Sequence, residues 1–206
     1  MSRPWWKQLP AEQRREYERS EAMGSIDLAP QPAFARLVRS LITSLEEDDQ
    51  RETQRAAFSL SRRICHALST RAPMVAVEGV RPPDGEGELH GLYQPSSGPE
   101  PDHITVWMRT AQREAVVAPR TFLRTLLHEV GHHLDMRSLG FPHSFHTKGF
   151  YRRESALYRA VTAGSPLAVR AHRERRRKSP TTVDVDRGLE VLRQAMRDID
   201  SRRRSD

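Results

Sequence analysis

The chain has 206 residues, of which 36% are hydrophobic and 30% are charged, so it can form one core of moderate size. Its single cysteine, Cys65, excludes a disulfide within the chain and a zinc ribbon built on cysteines. The net charge of +7 is compatible with a nucleic acid or another acidic molecule as a partner.

No run of 18 apolar residues occurs, so we predict no membrane-spanning segment and no membrane partner. The first residues lack the apolar stretch of a secretory signal, and we therefore expect a cytoplasmic protein. The sequence does not indicate an oligomeric state.

Hydrophobic spacing predicts helices in the first part of the chain. Residues 1–30 are expected to be irregular apart from a short charged helix over 11–23. Pro30 and Pro32 open a second helix, which closes at the acidic run 46–49, and a third follows over about 49–69. The last two are expected to pair as a helical hairpin.

Three short strands are predicted next, over 74–80, 89–93 and 103–109, separated by turns rich in proline and glycine. The third alternates apolar and polar residues, and we expect it to form a sheet edge along which an extended peptide could pair. Helices follow over 119–139 and 148–163, and a last one over 185–199.

The helix over 119–139 contains the pattern His128-Glu129-Val130-Gly131-His132. Two histidines four residues apart lie on one helical face about one turn apart, so both rings can reach one metal ion. Glu129 can then act as the general base for a metal-bound water. The pattern therefore predicts a zinc site and the hydrolysis of peptide bonds.

A catalytic zinc ion usually has three protein ligands and one open position, so a further ligand is needed. Residues 140–142 end the helix and turn the chain back. His143, His146 and Glu154 follow this turn, and their spacing from His132 allows any of the three to be the further ligand. Glu154 would make the protein a zincin whose second helix donates a glutamate. Asp135 lies on the ligand face and could accept the second ring N–H of a ligand histidine.

The order of these features resembles that of the SprT-like (Spartan-type) zinc metalloproteases. The resemblance covers roughly residues 50–160 and includes the middle strand with Gly91-Leu92-Tyr93, and His146 followed four residues later by Phe150. It implies a protein or peptide substrate, Glu129 as the catalytic base, and a zinc ion bound by His128, His132 and His146. The cysteine zinc ribbon of many members cannot form here.

We therefore expect an α+β fold of the zincin type, in which a small antiparallel or mixed sheet packs on the helix with the motif, between flanking helices. The expected organisation is an irregular N-terminal segment over 1–30, a zincin-like metalloprotease domain over 31–165 and a basic C-terminal segment over 166–206.

The basic C-terminal segment carries the densest positive clusters, at residues 173–178 and 202–204. These clusters predict nonspecific contact with DNA phosphates. An alternative function is thus a non-catalytic nucleic-acid-binding protein stabilised by zinc. A structural zinc site normally has four protein ligands and no use for Glu129, which favours the metalloprotease.

Overall fold

The computed structural model describes residues 4–80 and 91–168. Its helices are α1 (Ala11–Ala22), α2 (Pro32–Glu46), α3 (Gln50–Ala67), α4 (Pro119–Arg137) and α5 (Lys148–Thr162), and its strands are β1 (Met74–Val80), β2 (Gly91–Gln94) and β3 (His103–Arg109). A short 3-10 turn, Trp5–Gln8, precedes α1. The predicted helix over 185–199 and both basic clusters lie outside the described residues. None of the described helices is long and apolar enough to cross a bilayer.

The three strands form one mixed sheet in the order β1-β3-β2. β1 runs parallel to β3, with Met74 opposite His103, and β2 runs antiparallel to it, with Gly91 opposite Val106. This confirms the α+β class and the mixed sheet. The prediction that residues 103–109 form an edge is wrong, because β3 is the central strand. The alternation of apolar and polar residues along a strand indicates which face of the strand is buried. It does not indicate whether one or two other strands pair with it, so it cannot distinguish an edge strand from a central one.

The outer edge of β1 is closed by two glutamine side chains from α3. The amide of Gln54 donates to the carbonyl of Val75 and accepts from the N–H of Val77, and Gln50 donates to the carbonyl of Val77 at 2.7 Å. These side chains occupy backbone groups that a further strand would need. The other edge strand, β2, lies against α4.

The core lies between the sheet and the helices. α2 and α3 pack together as the predicted hairpin, and α4 contacts the sheet and its neighbouring helices α2, α3 and α5. Their apolar faces meet in a single cluster whose fully buried members include Phe34, Leu41, Leu60, Ile64, Ile104, Met108, Phe122 and Leu126. α4 is therefore held on several sides, which gives the residues of its motif a rigid support.

Candidate metal centre

The motif lies in the second half of α4, so the helix itself places His128 and His132 on one face. The chain then turns back through Gly140, whose φ of +70° lies in the left-handed region that favours glycine. The side chain of Thr147 accepts a hydrogen bond from the N–H of Phe150 and caps α5. His146 directly precedes this cap and is thereby brought to the two histidines of α4.

The Nε2 atoms of the three histidines form a nearly equilateral triangle. His146 Nε2 lies 3.0 Å from the Nε2 atoms of both His128 and His132, which are 3.1 Å from each other. Tetrahedral zinc with Zn–N bonds of about 2.0–2.1 Å needs nitrogens about 3.3–3.4 Å apart, so a small outward shift of the rings suffices. Three nitrogen lone pairs facing one another also repel unless a cation or a proton lies among them. The donor set thus fits a zinc ion.

The other ring nitrogen of the α4 histidines faces an oxygen atom. His128 Nδ1 lies 3.2 Å from Glu154 Oε2, and His132 Nδ1 lies 2.8 Å from Ser144 Oγ. The Ser144 hydroxyl donates to the carboxylate of Asp135 at 3.2 Å, so its oxygen accepts from His132. Both histidines therefore carry their proton on Nδ1, which leaves Nε2 free to bind a metal.

The protonation states also suit metal binding. Burial and the neighbouring His128 lower the pKa of His146 to about 3, and burial, His128 and His146 hold that of His132 well below its usual range. Burial also lowers the pKa of His128, but the hydrogen bond that its Nδ1–H donates to Glu154 and the charges of Glu129 and Glu154 raise this pKa overall. At neutral pH, His132 and His146 are therefore in the neutral form that a metal ion requires, and of the three only the pKa of His128 is shifted towards retention of a second proton.

Glu129 is 7% exposed and lies beneath the edge strand β2. Burial raises its pKa to about 7, while the charge of His128 and the backbone N–H of Tyr93 act in the opposite direction. A Cβ atom on Gly91 would lie 2.7 Å from Glu129 Oε1, so only glycine lets the strand pass this close. A carboxyl group with a pKa near neutrality is well suited to accept and return a proton.

The structure places Glu154, the alternative ligand, outside the Nε2 triangle. Its carboxylate bonds His128 at Nδ1 and lies 3.9 Å from Arg124, so it orients His128 from behind. Asp135 was expected to accept directly from a ligand histidine. Instead it reaches His132 through Ser144, and its carboxylate forms a buried ion pair of 2.7 Å with Arg153.

Two aromatic residues complete the surroundings of the three histidines. The ring of Phe150 lies 4.7–5.2 Å from all three imidazoles, and the ring of Tyr151 stacks on His146 at 5.7 Å.

Ser144 was not identified from the sequence as a site residue, because a serine in a loop has no periodic signal. Its φ of +40° is unusual for a residue other than glycine and marks a constrained backbone at this site.

Two other histidines near the motif lie outside the triangle. His143 turns towards α1, where its Nδ1 atom lies 2.6 Å from a carboxylate oxygen of Glu16. His133 is buried on another side of α4, 2.9 Å from Asp102, which also accepts from Arg137. Burial raises the pKa of Asp102, but the hydrogen bonds that Asp102 accepts from Arg137, Ser96 and Tyr93 hold this pKa well below the usual range of an aspartate. This network fastens α4 to the start of β3.

Compared with known proteins, the chain matches no protein-family model, no curated protein and no solved structure.

Proposed function

We propose that the protein is a zinc-dependent metalloprotease of the SprT-like kind, in which His128, His132 and His146 bind the metal and Glu129 is the general base. One observation carries the proposal: three Nε2 atoms converge within 3.1 Å of one another, next to a buried carboxyl group whose pKa is raised to about 7. A purely structural zinc site has no need for such a carboxyl group.

Zinc is the metal that this donor set favours. Neutral imidazole nitrogens suit a metal of intermediate softness, and three of them leave one position of a tetrahedral site open. When bound, the zinc ion polarises the scissile carbonyl and lowers the pKa of water to about 7. Glu154 and Ser144 hold the rings of His128 and His132 in the required tautomer.

Glu129 is proposed to move the proton during hydrolysis. In its ionised form the carboxylate takes a proton from the attacking water, and the resulting carboxylic acid returns it to the amine that leaves. The pKa of about 7 supports both roles, since the group can exist in either form near neutral pH. Its burial beneath β2 also limits exchange of that proton with bulk water.

The substrate is proposed to bind as an extended peptide along β2 and not along β3. β3 is central, and the edge of β1 is occupied by Gln50 and Gln54 of α3. β2 is the edge strand next to the proposed base. The N–H of Tyr93 already bonds Glu129, so the peptide would pair with the other outward backbone groups of this strand. Pairing at this edge would place the peptide backbone beside the metal centre.

The glutamate-ligand alternative has less support from the geometry. Glu154 faces Nδ1 of His128, while the ligand atoms that converge are Nε2 atoms. The nucleic-acid-binding alternative depends on basic clusters outside the described residues. It leaves the buried Glu129 without a role.

Metal content and hydrolysis test the proposal together. Protein never exposed to a chelator is expected to contain about one zinc ion per chain, and the double variant His128→Ala/His132→Ala is expected to contain none. Glu129→Gln should keep its zinc and lose hydrolysis of an unstructured protein substrate by about 10²–10⁴-fold. The exposed Glu100→Gln serves as the matched control and should cleave like the wild type.

Two results would contradict this scheme. Equal zinc content in the wild type and the double histidine variant would remove the metal site. Unchanged cleavage by Glu129→Gln would remove the general base.

A further inference from the structure

Helix α1 is polar over nearly its whole surface, yet it is packed against the rest of the chain. Its buried residues are Glu16, which is 4% exposed, and Ser20, which is fully buried, while no apolar residue of the helix is buried. The two buried side chains of this helix are polar, so the partners of their hydrogen bonds indicate what the helix holds. They lie in residues 140–147, here called the ligand loop, and at the start of α5.

The first set of bonds reaches the beginning of the ligand loop. The Glu16 carboxylate accepts from the backbone N–H of His143 at 2.8 Å, and its second oxygen lies 2.6 Å from His143 Nδ1. Arg19 donates to the carbonyl of Gly140 at 3.1 Å. The turn that reverses the chain after α4 is therefore held by α1.

The second set holds both sequence neighbours of His146. The hydroxyl of Ser20 lies 3.0 Å from that of Thr147, and the ring of Tyr17 packs 5.8 Å from that of Phe145. The ring of Trp5 also packs on both Tyr17 and Phe145. His146 thus lies between two residues that the N-terminal part of the chain immobilises.

The third set joins the end of α1 to the start of α5. The Glu21 carboxylate accepts from the N–H of Lys148 at 2.7 Å, and Arg153 donates to the carbonyl of Ser20 at 3.0 Å. A Cβ atom on Gly149 would lie 1.8 Å from that carbonyl oxygen, so α1 lies directly on the backbone of α5. Arg153 also binds Asp135, which connects α1 to the hydrogen bonds behind His132.

From these contacts we propose that α1 is a positioning element of the metal centre, which fixes the ligand loop so that His146 meets the two histidines of α4. The proposal rests on the metal ligands given above. A loop ligand that is ordered before the metal arrives loses little conformational entropy on binding. When α1 no longer holds the loop, that ordering occurs during binding, and the affinity for zinc falls.

The test compares zinc affinity in full-length variants by competition with a chelator. Glu16→Gln keeps the volume of the side chain and removes the charge that His143 faces, and it is combined with Ser20→Ala. The double variant is expected to bind zinc about tenfold or more weakly, within the range found when outer groups of metal sites are changed. Glu18→Gln, on the exposed face of the same helix, is the matched control and should stay within about twofold of the wild type.

A purely structural role of α1 is distinguished by two further measurements. Thermal unfolding of the metal-free proteins reports the loss of stability, and the visible absorption of the Co²⁺-substituted proteins reports the ligands around the metal. We expect the double variant to change the Co²⁺ spectrum, since His146 no longer binds in every molecule. Glu16→Gln alone is measured in parallel and should show a smaller change in the same direction.

The outcomes separate this proposal from the proposed function. A double variant that melts at lower temperature but keeps the wild-type zinc affinity and Co²⁺ spectrum overturns the positioning role and leaves the metalloprotease standing. Wild-type protein that binds no zinc overturns both.

Discussion

Strand β2 passes close to the proposed base at Gly91, and replacing this glycine by alanine tests the geometry of the site. The added Cβ would lie 2.7 Å from Glu129 Oε1, 2.8 Å from Glu129 Cγ and 2.9 Å from Thr125 Cγ2, whereas ordinary contacts begin at 3.4 Å. Glu129 or the strand must therefore move by about 0.7 Å, as follows from 3.4 − 2.7. Since atoms of two residues surround the new methyl group, a rotation of Glu129 alone does not relieve the contact.

The expected magnitudes follow from this displacement. Forcing a methylene-sized group into a packed site costs about 1–3 kcal/mol of unfolding free energy. Misplacing a catalytic group by about 1 Å costs on the order of 10²-fold in rate, so Gly91→Ala should lower kcat by about that factor. The zinc content should stay at the wild-type level, because the atoms nearest to the added Cβ belong to Glu129 and Thr125 and not to a histidine.

Three measurements check this expectation: urea unfolding, bound zinc and the kinetics of peptide hydrolysis. Gly98→Ala is the control, since a Cβ there meets no atom within 4 Å, and it should resemble the wild type in all three. A Gly91→Ala variant with wild-type stability and wild-type kcat would refute the close packing of β2 on Glu129.

Three further predictions concern the third ligand, a buried carboxylate and the C-terminal segment. His146→Ala should weaken zinc binding more than Glu154→Ala, which removes one hydrogen bond to His128 and should cost about 10–100-fold. The reverse ranking in chelator competition would favour glutamate as a ligand. Asp102→Asn should lower the unfolding free energy at pH 7 by about 2–3 kcal/mol in urea titrations, because it weakens the hydrogen bonds that donors such as Arg137 make to the charged group. Because the folded pKa of Asp102 is lowered, this contribution is present above about pH 4 and is lost as the pH falls towards the folded pKa; a difference between variant and wild type that is the same at pH 7 and at pH 2 would contradict it. Removing residues 170–206 should abolish a weak, salt-sensitive binding of DNA and leave the zinc in place; no mobility shift with the full-length chain at about 10–100 µM would exclude this partner.

The sequence by itself determined the features that depend on residues close together along the chain, namely the positions of single helices and strands and the residues that share one of their faces. The helical period placed His128 and His132 on one face of α4. Alternation located β3, and the apolar run before the turn that follows residue 80 located β1, both with the bounds that the structure shows. These features involve residues a few positions apart, so the backbone geometry of one helix or strand is sufficient to predict them. The zinc, the protease activity and the DNA contact stay predictions.

Tertiary structure alone decided how the elements meet. Periodicity does not encode strand order, and β3 became central through pairing with strands on both sides. Spacing along the chain left His143, His146 and Glu154 open as the third ligand, and only the family resemblance favoured His146. The path of the ligand loop brings His146 to the two histidines of α4 and turns His143 towards Glu16. That path depends on hydrogen bonds to α1 across more than 100 residues of sequence. Polar contacts at such a separation leave no repeating pattern in the sequence, since each one is set by where two distant backbones happen to approach.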